Sequence, residues 1–274
     1  MSTLNSLAAT LSQNVAQVQK DIVAVQTELS SGKRTLNAAE VGIVTRLSAQ
    51  VSGYKNVATN VKSGLDLLSV TSTALSSITT ILSQMKDIAT QAANAGLTTS
   101  DRTALNATFG QLAGQVGSLM KGASVNNTNL ICTTAFMADS NINTGDQTLL
   151  TGLSAASTTT LLSAGLDTTS VMNLSGNITT QANAAAYIDT LTAALNTVST
   201  KQSVVGAEQT GLKEQATAAL SMATNLQGTV DTIQNVDETA LQAKLQQLNN
   251  QQSIDYYLIS QMNTAASAML TIFR

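Results

Sequence analysis

Apolar side chains recur at alternating intervals of three and four residues at both ends of the chain. The spacing holds for about four heptads near the amino terminus, and a similar stripe with two polar interruptions ends the chain. It places these side chains on one face of a helix, as in a coiled-coil seam. The first stripe is Leu4, Leu7, Leu11, Val15, Val18, Ile22, Val25 and Leu29, and the second is Leu241, Leu245, Leu248, Ile259, Met262, Met269 and Phe273, with Gln252 and Asp255 as its polar positions.

Further helical patterns lie between these two stripes. The spacing predicts helices over residues 42–95, 101–122 and 181–228, with connectors at 33–41 and 229–236. At 1.5 Å per residue the first of these helices is roughly 80 Å long, which predicts an elongated molecule. The chain has no Pro, the residue that breaks helix interiors, and this agrees with long uninterrupted helices.

The middle of the chain, residues 123–180, lacks a sustained helical period. Turn-forming residues such as Asn126, Asn127 and Gly152 alternate there with short β-branched runs, which predicts hairpins and loops. The predicted fold class is mostly α. It is an elongated antiparallel helical bundle or coiled coil with a small middle insertion that contains a β-hairpin.

Composition narrows the classes of function. Only 11% of residues are charged, the net charge is -3 and the Lys and Arg residues are scattered, which argues against nucleic acid as a partner. The chain has no His, the commonest general base and metal ligand, and its single Cys cannot form an intramolecular disulfide. We therefore expect no enzyme activity, no metal and no cofactor, and we expect Cys132 to be a buried structural thiol.

Membrane insertion is not expected either. No segment approaches the ~20 consecutive apolar residues of a membrane span. The amino terminus lacks the basic and apolar regions of a cleaved signal peptide. The terminal stripes lack the basic polar face of a membrane-surface helix, so we expect them to pack against helices of other copies. An ordinary bundle within one chain is the alternative.

Several short motifs stand out along the chain. They are Leu29-Ser30-Ser31-Gly32-Lys33-Arg34, Gln91-Ala92-Ala93-Asn94, Asn126-Asn127-Thr128-Asn129-Leu130, Val205-Gly206-Ala207-Glu208-Gln209, Ile259-Ser260-Gln261-Met262-Asn263 and Leu270-Thr271-Ile272-Phe273-Arg274. In their order and spacing these motifs resemble those of bacterial flagellins. Two departures, Val41 after Glu40 and Ala266 where the family often has Pro, leave room for a related hook–filament junction protein.

The resemblance implies a structural subunit that polymerises into the extracellular flagellar filament for swimming. It implies three parts: residues 1–41 with 229–274 as the inner core of the filament, 42–131 with 181–228 as a helical rod in the outer tube, and 132–180 as a short variable insertion. The implied partners are other copies of the chain, the filament cap, hook-junction proteins and a flagellar export chaperone. Export without a cleaved signal peptide is implied as well.

One more expectation follows from the resemblance. Gln84, Ile88 and Gln91 lie in the stretch that an animal innate immune receptor recognises in flagellins. Gln84 stands where an Arg is usual, and its amide lacks the planar, five-donor guanidinium. We therefore expect weak receptor recognition. A helical secretion or translocon component is a more distant alternative for the whole chain, and an enzyme more distant still.

Overall fold

The computed structural model describes residues 2–137, 141–166 and 176–272. These residues are mostly helical, with one two-stranded antiparallel sheet, so the predicted fold class is confirmed in its helical content and its middle hairpin. The helices are α1 (Ser2–Ser31), α2 (Ala38–Ala92), α3 (Thr99–Gly122), α4 (Thr134–Met137), α5 (Gln181–Gln234) and α6 (Glu238–Ile272), and the strands are β1 (Gln147–Leu150) and β2 (Thr158–Leu161).

The first helix ends where the sequence predicts. Gly32 follows α1 with a φ of 65°, a left-handed conformation in which glycine has no Cβ to strain. The start of α2 was predicted four residues too late. The side chain of Asn37 accepts a hydrogen bond from the Glu40 amide, and the Glu40 carboxylate accepts one from the Asn37 amide, both at 2.9 Å. This reciprocal cap starts the helix at Ala38.

Arg102 of α3 holds the carboxyl end of α2. Its guanidinium donates hydrogen bonds to the carbonyl oxygens of Ala92, Leu97 and Asn94 at 2.9, 2.8 and 2.7 Å. The last carbonyls of a helix have no partner within the helix, so a planar group with several donors satisfies them efficiently. The helix therefore ends at Ala92, three residues before the predicted end.

The predicted connector at residues 229–236 is wrong for most of its length. Helix α5 continues through Gly228 to Gln234 because Val230 is buried, at 3% exposure, and packing offsets the helix penalty of glycine. The break before α6 is short, and the Asp237 carboxylate caps α6 by accepting a hydrogen bond from the Ala240 amide at 3.0 Å.

The chain divides into two compact units, Met1–Ala49 with Asn225–Arg274, and Gln50–Thr224. We call them the terminal unit and the middle unit. In the middle unit α2, α3 and α5 contribute buried side chains to one continuous core, which includes Leu75, Phe109 and Leu191. The three-part division drawn from the sequence stays a prediction.

The hairpin of the middle unit lies against α2. Strands β1 and β2 pair antiparallel, with Gln147 opposite Leu161 and Leu150 opposite Thr158. A Cβ added at Gly64 of α2 would lie 2.8 Å from the Leu149 side chain, closer than real side chains approach. Glycine thus leaves room on the helix surface for the hairpin to pack.

By length and hydropathy alone, α2 is long and apolar enough to cross a membrane. An 18-residue window of this helix has a mean hydropathy of 1.4, and 39% of it is buried. The expectation that no segment is long and apolar enough to span a membrane is therefore wrong when it is judged by helix length and mean hydropathy. A core helix passes the same test, and α2 supplies fully buried side chains to the core, among them Val61, Leu68 and Ile78.

Candidate assembly surface

Helices α1 and α6 of the terminal unit pack antiparallel to each other. At one end Lys33 and Asn235 form an antiparallel bridge, and the Arg34 amide donates to the Gln234 carbonyl at 2.7 Å. Farther along, the Gln19 side chain donates a hydrogen bond to the Tyr256 hydroxyl at 2.9 Å. The two stripes found in the sequence therefore belong to helices that meet.

The apolar side chains between these helices form what we call the α1–α6 seam. Val18, Ile22, Val25 and Leu248 are buried in one cluster, with Leu241 and Leu245 packed against it. Leu11 and Val15 are also buried, Leu29, Ile259 and Met262 are half-buried, and Leu7 is 55% exposed. The side chains of Leu4 and Met269, and all of Phe273, lie outside the described residues.

One charged side chain lies in this apolar setting. Asp255 is 8% exposed, and its Oδ2 atom is buried without a hydrogen-bond partner among the described residues. Gln252, one turn earlier, is half-buried. The two polar interruptions of the sequence pattern thus do face inward.

Large apolar side chains next to Asp255 face outward instead. Tyr257 is 62% exposed and Ile254 is 59% exposed, and Tyr256 and Leu258 are exposed as well. On α1, Val23 is 60% exposed. The sequence pattern missed this surface because the heptad stripe selects only the positions that face the partner helix.

The connector between α1 and α2 is held by side chains of the Leu29–Arg34 motif and its neighbours. The Glu28 carboxylate accepts a hydrogen bond from the Thr35 amide at 2.8 Å. Arg34 forms an ion pair with Glu40, the residue that also caps α2. Both cations after Gly32 therefore make structural contacts. The Arg34 side chain joins the connector to α2, and the Lys33 backbone forms the bridge with Asn235.

A tight turn follows α3 at the motif Asn126–Leu130. Asn126 and Asn127 have φ angles of 49° and 58°, the left-handed region that a type I′ turn requires and that Asn tolerates. The fully buried Asn129 side chain donates to the Met120 carbonyl at 2.8 Å. Its oxygen accepts from the amides of Ile131 and Cys132 at 2.8 and 3.1 Å.

Cys132 is fully buried beside this turn, as the sequence predicts. Its Sγ lies 3.1 Å from the Met120 carbonyl oxygen, to which the thiol donates. Burial raises the pKa of the Cys132 thiol to about 12, so the thiol stays protonated near neutral pH. A protonated, enclosed thiol is a poor nucleophile.

Two carboxylates bind the end of the hairpin, Glu208 from α5 and Asp146 from just before β1. The Leu162 amide donates to Glu208 at 3.0 Å, and the Ser163 amide donates to Asp146 at 2.7 Å. Glu208 Oε2 is buried without a hydrogen-bond partner in the described part of the chain. Burial, together with the nearby charge of Asp146, raises the pKa of the Glu208 carboxyl above its ordinary value.

Comparison with known proteins finds matches to one family. Residues 2–135 match the bacterial flagellin N-terminal helical region. Over 278 residues the chain is 29% identical to flagellin FljO of Caulobacter vibrioides, an alignment that covers 98% of this chain and 97% of that protein. These matches support a short-form flagellin. A second relative, the flagellin of Listeria monocytogenes, is 33% identical over 114 residues, or 40% of each chain.

A solved structure shares the fold of this flagellin. The crystal structure of Bacillus cereus flagellin matches it with a TM-score of 0.53 and 24% identity, and the match covers 63% of this chain and 94% of that one. This flagellin is a structural subunit of the bacterial flagellar filament. Its likeness to FljO over almost the full length of both chains agrees with a short form.

The proposed receptor patch of this flagellin lies on α2. Gln84 and Gln91 are exposed, and Ile88 is half-buried against the core. Since residues four and seven apart share a helix face, the three side chains lie on one side of α2. Weak receptor recognition stays a prediction, and a receptor reporter assay that gave full potency would contradict it.

Proposed function

We propose that this flagellin polymerises through its paired helices α1 and α6, which form the inner core of the filament. The observation that carries the proposal is the pattern of burial in the terminal unit. The α1–α6 seam buries Val18, Val25 and Leu248, while large apolar side chains such as Ile254 and Tyr257 remain exposed beside it. Exposed apolar patches of this kind mark sites where another molecule binds.

The chemistry of both helices suits self-association. The only charged residues of α1 are Lys20, Asp21 and Glu28, so copies brought side by side repel each other little. A heterologous contact between identical chains that does not close into a ring builds an open helical polymer. Apolar burial on assembly then offsets the entropy lost as the tails become ordered.

The likeness to flagellins supports the remaining parts of the proposal. Residues 42–131 with 181–228 form the outer tube around the core of 1–41 and 229–274, and 132–180 is a short variable insertion. The polymer transmits torque for swimming, and the chain carries out no catalysis. It leaves the cell through the flagellar export apparatus with a chaperone, and it meets the cap and the hook-junction proteins at the two ends of the filament.

Seeded growth tests this function. Filaments are dissociated with acid or heat, neutralised and mixed with short filament seeds, and growth is followed by negative-stain microscopy. We expect long smooth filaments from the wild-type chain and none from Val18→Asp, which places a charge in the α1–α6 seam. The matched control Thr27→Asp places the same charge on an exposed polar residue of the same helix, outside the apolar surface, and isolates the requirement for the seam.

Two outcomes would contradict the proposal. Growth of Val18→Asp at the wild-type rate would show that the seam is not needed. Wild-type monomers that remain helical by circular dichroism yet never extend the seeds would instead indicate the hook–filament junction protein or a secretion component.

A further inference from the structure

An open cavity lies between α2 and α3 of the middle unit, and we call it the α2–α3 groove. Its volume is about 640 Å³, within the roughly 300–1,000 Å³ of small-molecule sites in proteins. Val70, Ala74 and Ile81 line it from one face of α2, and Leu119 lines it from α3. The α2 wall begins at Ser69, so at 1.5 Å per residue it is about 18 Å long. The groove therefore has the shape of a channel for an extended molecule.

Neither wall of the groove carries charge. No lining residue is charged. Helix α2 has no charged residue between Asp66 and Lys86, and α3 has none between Arg102 and Lys121. A charged ligand in this setting loses hydration and gains no ion pair in return. The groove therefore favours an uncharged ligand.

Three of the four hydroxyl side chains in the groove donate within their own helix. Thr73 donates to the Ser69 carbonyl at 2.9 Å, Ser77 to the Thr73 carbonyl at 3.1 Å, and Ser118 to the Gly114 carbonyl at 3.1 Å. A hydroxyl has a single hydrogen, so these three offer a ligand only acceptor lone pairs. Recognition in the groove therefore rests on apolar contact and not on a set of directed donors.

The extent of the groove indicates a small molecule and not a macromolecule. Eleven residues line it, whereas a stable protein interface takes about 20–30 residues from each partner. A nucleic acid or an anionic lipid surface requires Lys or Arg, which the lining lacks. Ser69 and Gln115 are its remaining polar side chains, and both are exposed. The interior thus suits an apolar chain, and the edge suits one uncharged polar end.

We propose that the α2–α3 groove binds an uncharged small molecule with an extended aliphatic chain, such as a long-chain alcohol. The chain lies along the α2 wall between Ser69 and Ile81, in contact with Val70, Ala74 and Leu119. Removal of its apolar surface from water supplies the driving force. The inference concerns the middle unit alone and needs no second copy of the chain, so it stands apart from the proposed function.

A blocking variant of the full chain tests the site. Gly122 lines the groove, and a Cβ added there meets nothing within 4 Å, so Gly122→Leu fills the groove without forcing the backbone to move. Gly114→Leu is the matched control, because this exposed glycine of the same helix has the same open space but lies outside the groove. Both variants replace glycine by leucine in α3 and gain similar helix propensity.

Binding is measured with N-phenyl-1-naphthylamine, an uncharged dye whose fluorescence rises in apolar surroundings. Wild type and Gly114→Leu should bind the dye with the same Kd, and Gly122→Leu should bind it at least tenfold more weakly. At pH 7, 1-dodecanol should displace the dye from wild type at a concentration at least fivefold lower than dodecanoate requires, because the carboxylate of dodecanoate is charged.

A second pair of variants approaches the groove from its other wall. Ser77 and Ser83 each donate to the carbonyl four residues earlier on α2, but only Ser77 lines the groove. Ser77→Leu should weaken dye binding at least tenfold, and Ser83→Leu should leave it unchanged. Urea midpoints show whether each variant folds, and this pair decides the question if Gly122→Leu does not fold.

Three results would overturn the proposal. Absence of saturable dye binding to wild type, or equal binding by wild type and both groove-filling variants, would show that the groove is not the site. Displacement by dodecanoate as efficient as that by 1-dodecanol would overturn the uncharged class of ligand. If dye binding is equal throughout and Gly122→Leu alone fails to extend filament seeds, the occupant of the groove is a neighbouring subunit and not a small molecule.

Discussion

The middle unit and the terminal unit of this flagellin enclose their apolar side chains to different degrees. In the middle unit Leu75, Leu82 and Phe109 are 0% exposed. The buried side chains of the α1–α6 seam range from 3% exposed at Val25 to 9% exposed at Leu11. Three helices and a hairpin can surround a core, whereas two helices leave the sides of their seam open. The middle unit is therefore closed by its own chain, whereas the two-helix seam stays open along its sides in the single chain.

The largest effect is expected in the closed core. Phe109→Ala removes a fully buried ring that meets Tyr187 edge to face, with 5.7 Å between the ring centroids. The loss of transfer free energy and the cavity that remains should cost about 3–5 kcal/mol of unfolding free energy. Urea unfolding followed by circular dichroism measures this cost. A loss restricted to amides of α1 and α6 would contradict the assignment of Phe109 to a closed core.

Asn129 should have the next largest effect. Asn129→Ala leaves the Ile131 and Cys132 amides without their acceptor and removes one donor from the Met120 carbonyl, which keeps its hydrogen bond from the Cys132 thiol. At about 1 kcal/mol or more for each group, the middle unit should lose about 3 kcal/mol of unfolding free energy in the same urea assay. The control Asn126→Gly keeps the turn, because glycine adopts the observed positive φ freely. Equal losses for both variants would be inconsistent with a role for the Asn129 side chain itself.

A smaller and more local effect is expected in the seam. Val25→Ala deletes two buried methyl groups and should cost about 1.5 kcal/mol, confined to the terminal unit. Deuterium exchange should quicken in α1 and α6 and stay unchanged in α3. Val23→Ala, at an exposed valine two residues away, should change neither the unfolding free energy nor the deuterium exchange of α1 and α6. If Val23→Ala accelerated exchange in α1 and α6 as much as Val25→Ala, the assignment of Val25 to the buried side of α1 would be wrong.

The smallest effect is expected in the pH dependence of stability, through Glu208 at the end of the hairpin. Because burial raises the pKa of Glu208 in the folded chain, the folded state binds its proton more tightly than the unfolded state does. The middle unit should therefore lose stability as pH rises from the ordinary Glu pKa of 4.5 through the raised value. Glu208→Gln keeps an acceptor for the Leu162 amide and should raise the melting midpoint slightly at neutral pH. Melting curves at several pH values should then show a weaker pH dependence, whereas a steeper one would refute this account.

Much of the fold could be predicted because it depends on the spacing and identity of residues that are close together along the chain. The three–four spacing of Val18, Ile22 and Val25 fixes which face of α1 is buried, and Gly32 fixes where the helix ends. Asn126 and Asn127 likewise specify their turn through conformations that few other residues tolerate. These features depend on neighbours along the chain, which a sequence displays directly.

The errors arose where distant residues decide the outcome. Gly228 looked like a helix end, but burial of Val230 carries α5 past it. Arg102 is one of several scattered cations in the sequence, but in the fold it donates to the last carbonyl of α2 and to two carbonyls of the connector that follows. Neither contact can be recognised from spacing, because each joins residues whose proximity is set by packing.

The same division holds for the assembly surface. Periodicity and composition are properties of the chain alone, and they show that both ends are amphipathic helices, poor in charge and with apolar stripes at coiled-coil spacing. Packing in three dimensions adds that α1 and α6 cover each other, that Asp255 is buried between them, and that Ile254, Tyr257 and Leu258 remain outside. The physical reason is that burial belongs to pairs of surfaces: a two-helix seam can cover one face of α6, and which face it covers depends on how α1 packs against it.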